Sequence, residues 1–182
     1  SVGGFNKIDI KKNGNFIIKK INFKKNKSVL NKNLILVFTG ILRTANQIAS
    51  QYASSLTSKK EKEMFKIIKQ ANDGEKLLKS GNFDDFGKLL HEAWIQKKSL
   101  NKIISNKKID ELYKHAIDNG AFGGKLLGAG GGGFMVFYIP YELQKNFLKK
   151  SKNIKIVPFQ FTDFGSKIIL NNKKWLKNLA IH

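Results

Sequence analysis

Apolar positions divide this chain into stretches of two different periods, one suited to strands and one to helices. Residues 15–23, NFIIKKINF, follow a KKNGN turn and predict a strand. Residues 33–40, NLILVFTG, form an unbroken apolar run closed by glycine, which predicts a strand buried on both faces. Helical spacing then takes over. Residues 43–55 are the first candidate helix. A second opens at Ser58, where Glu61 completes a capping box, and keeps Met64, Ile67, Ile68 and Ala71 on one side. A third follows the KSGN break and aligns Phe83, Phe86, Leu89, Leu90, Ala93 and Trp94. A fourth carries Ile109, Leu112, Tyr113, Ala116 and Ile117 and stops at Asn119–Gly120, a good C-terminal cap.

Strand character returns in FMVFYI (residues 134–139), before a short helix after Pro140 and two further strands, IKIVPFQF (154–161) and SKIIL (166–170). Strands, four helices, a strand, a helix and more strands do not alternate strictly. That order predicts an α+β fold, an antiparallel sheet covered on one side by helices. No repeat or linker interrupts it, so residues 1–182 read as a single domain.

Charge changes the picture less than its size suggests. The formal net charge is +21, but Arg43 is the only arginine among 34 basic residues. Phosphate and base readers favour the rigid arginine fork, and these lysines are spread rather than clustered, so a specific nucleic-acid partner is not expected. A basic field does assist small anionic ligands. Without cysteine there are no disulfides or thiolate metal sites. No apolar run is long enough to span a membrane, and the expected location is the cytoplasm. Ser1 in place of an initiator methionine implies trimming or a later portion of a longer polypeptide.

One segment demands a chemical explanation. Seven glycines fall within residues 123–133, GGKLLGAGGGG, and each ordered glycine costs entropy. Gly128, Gly130 and Gly133 satisfy G-x-G-x-x-G, yet a helix precedes and a strand follows, the reverse of a dinucleotide fingerprint. No Gly-Lys-Ser/Thr follows, which excludes a Walker loop. A run of bare amides can form an anion-binding concavity, or let another backbone pack flush.

This segment resembles the third motif of the GHMP kinases, a lysine followed by Gly-Ala-Gly-Gly-Gly-Gly and an apolar strand, on Lys125, Gly128, Ala129, Gly130, Gly131, Gly132 and Gly133. GGFN (3–6), FTGILRTA (38–45) and FTDFGSKII (161–169) are similar to the branch of D-glycero-D-manno-heptose 7-phosphate kinases. The resemblance, over a core of about residues 3–170, implies a ferredoxin-like C-terminal domain of an ATP-dependent sugar or sugar-phosphate kinase. In that family an N-terminal half supplies a Pro-x-x-x-Gly-Leu-(Gly/Ser)-Ser-Ser phosphate loop and an aspartate that acts on the attacking hydroxyl. Neither is expected here: the aspartate falls upstream of Ser1, and Asp9 is a poor substitute.

The resemblance therefore implies a chain inactive without its N-terminal half, which would hold most of the ATP and Mg²⁺. Phosphoryl transfer relies on positioning and charge stabilisation, and half of the machinery does neither alone. Lys125 and residues 128–132 (Gly128, Ala129, Gly130, Gly131, Gly132) are expected to back the ATP phosphates, and a Gly130→Val change to abolish activity without unfolding the domain. Arg43, with Thr39, is expected to grip the sugar phosphate. His91, His115 and His182 lack metal-ligand spacing. Asp84 and Asp85 sit where a helix dipole welcomes acids. The rival functions are a non-catalytic domain that binds a small ligand or partner, and a nucleic-acid-binding module.

Overall fold

A computed structural model describes residues 2–23, 26–42 and 58–168. Contacts divide the chain into two compact units, Ser1–Ile21 with Phe161–His182, and Asn22–Gln160.

The smaller unit is a hairpin with a strap. Strands β1 (Asn6–Ile10) and β2 (Phe16–Lys20) pair antiparallel around the predicted turn, where Gly14 adopts φ +82°. Two of the family-like segments meet here. The amide of Gly4 donates to the carbonyl of Thr162 at 3.0 Å, and the Phe5 ring meets Phe161 edge-on with centroids 4.5 Å apart. Asp9 forms an ion pair with Lys19 at 2.9 Å, which accounts for its polar position on the strand. The cross-strand pairs Ile8–Ile18 and Ile10–Phe16 are exposed.

The larger unit holds the predicted antiparallel sheet, in the order β4-β5-β3-β6. Its strands are β3 (Leu34–Phe38), β4 (Gly123–Leu126), β5 (Phe134–Tyr138) and β6 (Lys155–Val157). Ile35 and Val37 of β3, Leu126 of β4, and Met135 and Phe137 of β5 join one buried cluster with Trp94, Ile104, Ile109, Tyr113, Ala116 and Phe147 from the helical side. The opposite face differs from the expectation for β3. Leu34, Leu36 and Phe38 are only half-buried, because among the described residues the apolar run has helices against one face and not both.

Five α-helices are described: α1 (Lys27–Asn33), α2 (Ser58–Ser80), α3 (Phe83–Leu100), α4 (Lys107–Asp118) and α5 (Tyr141–Lys150). Asn82 caps α3 by accepting from the Asp85 amide, and its side-chain amide donates to the Asp85 carboxylate at 2.7 Å. Asp85 thus serves the cap, as its position implied. Helix α4 ends as predicted. Gly120 takes φ +103°, its amide donates to Ile117, and the Ala121 amide donates to Ala116.

Four expectations shift. Helix α1 was not legible, since two apolar residues among lysines and asparagines give little period; it forms where Leu30 is fully buried. Strand β4 turns the predicted helix–loop–strand into a strand–loop–strand hairpin. Strand β6 is short and stops at Pro158, which lacks an amide to continue the ladder. Residues 166–168 form no strand, and the rest of that segment, like the candidate helix at 43–55, lies outside the described residues.

Candidate functional site

The glycine loop joins β4 to β5, and its two edges have different surroundings. Leu127 and Gly128 are exposed, while Gly131 and Gly132 are buried. The buried edge is tied down by backbone. The Gly131 amide donates to the carbonyl of Ile104 at 2.9 Å, and the Gly133 amide to that of Ile41 at 2.8 Å. A side-chain carbon at Gly132 would lie 2.7 Å from the Ile41 carbonyl oxygen, and one at Gly130 would lie 3.1 Å from the Ile104 Cα. These positions are glycine because other backbone passes against them.

Gly130 also holds φ +123°. Valine there meets the Ile104 backbone in a conformation L-residues rarely adopt, so Gly130→Val disturbs the fold as well as any function. That corrects the expectation of a silent structural effect. Gly128 is different: φ is +73°, and nothing lies within 4 Å of an added carbon.

Among the described residues, the amides of Gly128, Ala129, Gly130 and Gly132 donate to no protein acceptor. The Gly128 amide is exposed and open to water, whereas those of half-buried Ala129 and Gly130 and of buried Gly132 lack the partner that such amides nearly always find.

Two ammonium groups flank this loop. Lys125 projects from β4, and burial holds its pKa below the usual lysine value. Lys97, on α3, was not singled out from the sequence. Its Nζ donates to the Gly128 carbonyl at 2.7 Å. Burial, and then the charge of Lys125, bring its pKa down to about 8. Neither lysine has a carboxylate partner among the described residues. Two cations held together without an anion have their charged forms disfavoured, and a bound anion relieves that.

Thr39 has a definite place. It is buried, its hydroxyl donates to the Gly133 carbonyl at 2.8 Å, and the Ile41 amide donates to the same hydroxyl at 3.3 Å. Its hydroxyl latches the end of β3 to the end of the loop. Arg43 lies outside the described residues. His91 shares a hydrogen bond with the Tyr113 hydroxyl and His115 one with Ser151, both structural contacts within the packing. Trp94 is fully buried in the core, with its indole nitrogen lacking a partner.

Comparison with known proteins follows the same geometry. The sequence profile described as "GHMP kinases C terminal" matches residues 75–150, which run from α2 through the glycine hairpin to the end of α5. The chain carries a GHMP kinase C-terminal domain. It is 34% identical over 169 residues to the D-glycero-alpha-D-manno-heptose 7-phosphate kinase of Campylobacter jejuni, covering 91% of this chain and 50% of that protein. A crystal structure of a Campylobacter jejuni protein assigned as a sugar kinase superposes with TM-score 0.67 at 30% identity, over 91% of this chain and 48% of that one. The fold is also that of a D-glycero-D-manno-heptose 1-phosphate kinase from Bacteroides thetaiotaomicron, with TM-score 0.59 at 23% identity over 93% and 47% of the two chains. The chain thus spans about half the length of the heptose-phosphate kinase it matches. Among the described residues no helix is long and apolar enough to cross a membrane.

Proposed function

We propose that this GHMP kinase C-terminal domain supplies one wall of an ATP-dependent sugar-phosphate kinase, with a heptose 7-phosphate as acceptor, and that catalysis needs an N-terminal half on the same or a separate polypeptide. The observation that carries this reading is the set of amides between Lys125 and Gly133 that have no protein acceptor among the described residues, flanked by Lys97 and Lys125. Free amides and two ammonium groups fit the oxygens of a polyphosphate.

ATP supplies the γ-phosphoryl group. The bond between the γ-phosphorus and its bridging oxygen breaks, the acceptor hydroxyl oxygen bonds to that phosphorus, and the hydroxyl proton passes to a base on the N-terminal half. In this reading the residues of this chain orient phosphates and exclude water; they do not move the proton. In this reading Mg²⁺, like most of the ATP, is assigned to the other half. Exposed Ile8, Ile10, Phe16 and Ile18 on the hairpin are further support for a covering partner. Arg43 remains our candidate for the sugar phosphate, with Thr39 holding the turn that precedes it.

The test is reconstitution. The 182-residue chain is mixed with the N-terminal half of the Campylobacter jejuni relative, with ATP, Mg²⁺ and D-glycero-D-manno-heptose 7-phosphate. ADP release dependent on both halves is expected. Turnover by the chain alone, or none from a pair shown to associate, would overturn the proposal.

A further inference from the structure

A groove of about 240 Å³ opens at the end of β3, lined by Phe38, Thr39, Gly40, Lys108, Leu112 and Lys155, with Asn153 and Ile154 completing its wall. It lies at the same end of the sheet as the glycine loop, since Thr39 bonds Gly133 directly. We infer that this groove binds the phosphate end of a small phosphorylated polyol, with Lys108 and Lys155 each supplying a cation to the phosphate.

Three features carry this inference. The first is charge. Lys108 stands on α4 and Lys155 on β6, so two separate elements each contribute a cation, and neither pairs with a carboxylate among the described residues. Asp110, the acid closest in sequence to Lys108, is taken by Lys98 at 2.7 Å and by the Ser105 hydroxyl at 2.9 Å. A phosphomonoester carries close to two negative charges near neutrality, which suits two lysines better than a monoanion does.

The second is the space made for those cations. Gly40 holds φ +72°, and a side-chain carbon there would lie 2.9 Å from Lys108 Nζ. The bare glycine leaves room for the ammonium across the turn. Lys155 Nζ rests 5.6 Å from the centre of the Phe38 ring, a weak contact that a phosphate can displace.

The third is size and lining. The volume falls below the roughly 300–1,000 Å³ of sites that bury drug-sized ligands, so the occupant is compact. Phe38, Leu112 and Ile154 give an apolar floor for the carbon chain beneath a cationic rim. That the ligand is a phosphorylated sugar rests on the kinase reading; the anion groove itself does not.

The experiment is an NMR titration of the ¹⁵N-labelled full chain with glucose 6-phosphate, inorganic phosphate and glucose, following the Gly40, Asn153 and Ile154 amides. Saturable, localised shifts are expected with glucose 6-phosphate, weaker ones with inorganic phosphate and none with glucose. Losing one charge-assisted contact should weaken binding about tenfold, so Lys108→Gln and Lys155→Gln each lower affinity by that factor. Both side chains are exposed, so these variants fold. The double change Lys11→Gln/Lys12→Gln removes two exposed charges from the hairpin turn and should leave affinity unchanged. Unsaturable shifts, or an equal loss in the hairpin variant, would reduce the effect to the overall positive field and overturn the groove. Equal affinity for inorganic phosphate and glucose 6-phosphate would overturn the sugar assignment. Saturable binding without turnover from the reconstituted pair keeps the groove and removes the kinase reading; turnover without binding does the reverse.

Discussion

The ammonium of Lys97 reaches from helix α3 to the carbonyl of Gly128 at 2.7 Å, and so fastens the exposed edge of the glycine loop to a helix thirty-one residues earlier in the chain. The contact is one-sided. It satisfies one proton of an ammonium that burial and Lys125 both disfavour, with no carboxylate to balance it among the described residues.

The first prediction follows from that imbalance. Lys97 titrates near pH 8 in the folded protein, against 10.5 for an ordinary lysine. Between those values the unfolded chain binds more protons than the folded one, so unfolding free energy rises with pH across the window. Below pH 8 the cost of the charged ammonium is fully present. Urea denaturation at pH 7.5 and 9.5 should show wild type gaining stability relative to Lys97→Met. Pyrophosphate should move the Lys97 midpoint upward, read from its side-chain NMR shifts. A midpoint that stays near 8 with pyrophosphate bound elsewhere would remove Lys97 from the phosphate site.

Alanine at three loop glycines should separate architecture from function. Gly128→Ala meets no neighbour and costs only the left-handed conformation, about 1 kcal/mol. Gly130→Ala adds a contact 3.1 Å from the Ile104 backbone, and Gly132→Ala one 2.7 Å from the Ile41 carbonyl oxygen. Gly130 adds the cost of φ +123° to its contact, so thermal unfolding should rank Gly128→Ala as mildest and both Gly130→Ala and Gly132→Ala as clearly more damaging. Gly128→Ala is then the useful variant for activity: a folded chain with impaired turnover in the reconstituted pair places the loop's open edge against a ligand.

Thr39→Val keeps the shape of a buried residue and deletes its hydroxyl. The loss removes the bond to Gly133 and leaves the Ile41 amide without its acceptor, at about 1–2 kcal/mol. Thr39→Ser should retain most of that stability. Chemical denaturation of the two variants distinguishes the latch from a residue that only touches substrate, for which both would unfold like wild type.

The helices with several apolar residues at regular spacing, α3 and α4, were readable because each repeats its core positions over three or more turns and carries an asparagine cap or a terminal glycine. Periodicity was silent for β4. Its first two residues are glycines, chosen by what lies against them and not by strand propensity, so its existence depends on pairing with β5. The loop was conspicuous because seven glycines have no cheap alternative explanation. Lys97 was not. Along α3 it is one lysine among several on a helix whose last turn carries Lys97 and Lys98, and only the tertiary fold turns the first toward Gly128 and the second toward Asp110. A charged residue announces its site by its partner, and sequence does not give the partner.

The last prediction concerns how closely α3 approaches the hairpin that carries the loop. A side-chain carbon at Gly87 on α3 would lie 2.5 Å from the Tyr138 ring, and one at Gly123 on β4 would run into the Gly87 carbonyl. Tyr138 has no freedom to retreat: it is buried, and its hydroxyl donates to Asp84 at 2.7 Å on the same helix. Gly87→Ala must then push α3 off the sheet or break that bond, at about 1–3 kcal/mol. The displacement also moves Lys97, nearly three turns farther along α3, away from Gly128. If helix and loop move as one unit, Gly87→Ala should shift the Lys97 titration as well as lower the melting temperature. In the Gly87→Ala/Tyr138→Leu double variant the smaller side chain gives room, and both effects should shrink together. Recovery of stability with Lys97 still displaced would show that the Lys97–Gly128 bond does not depend on this contact.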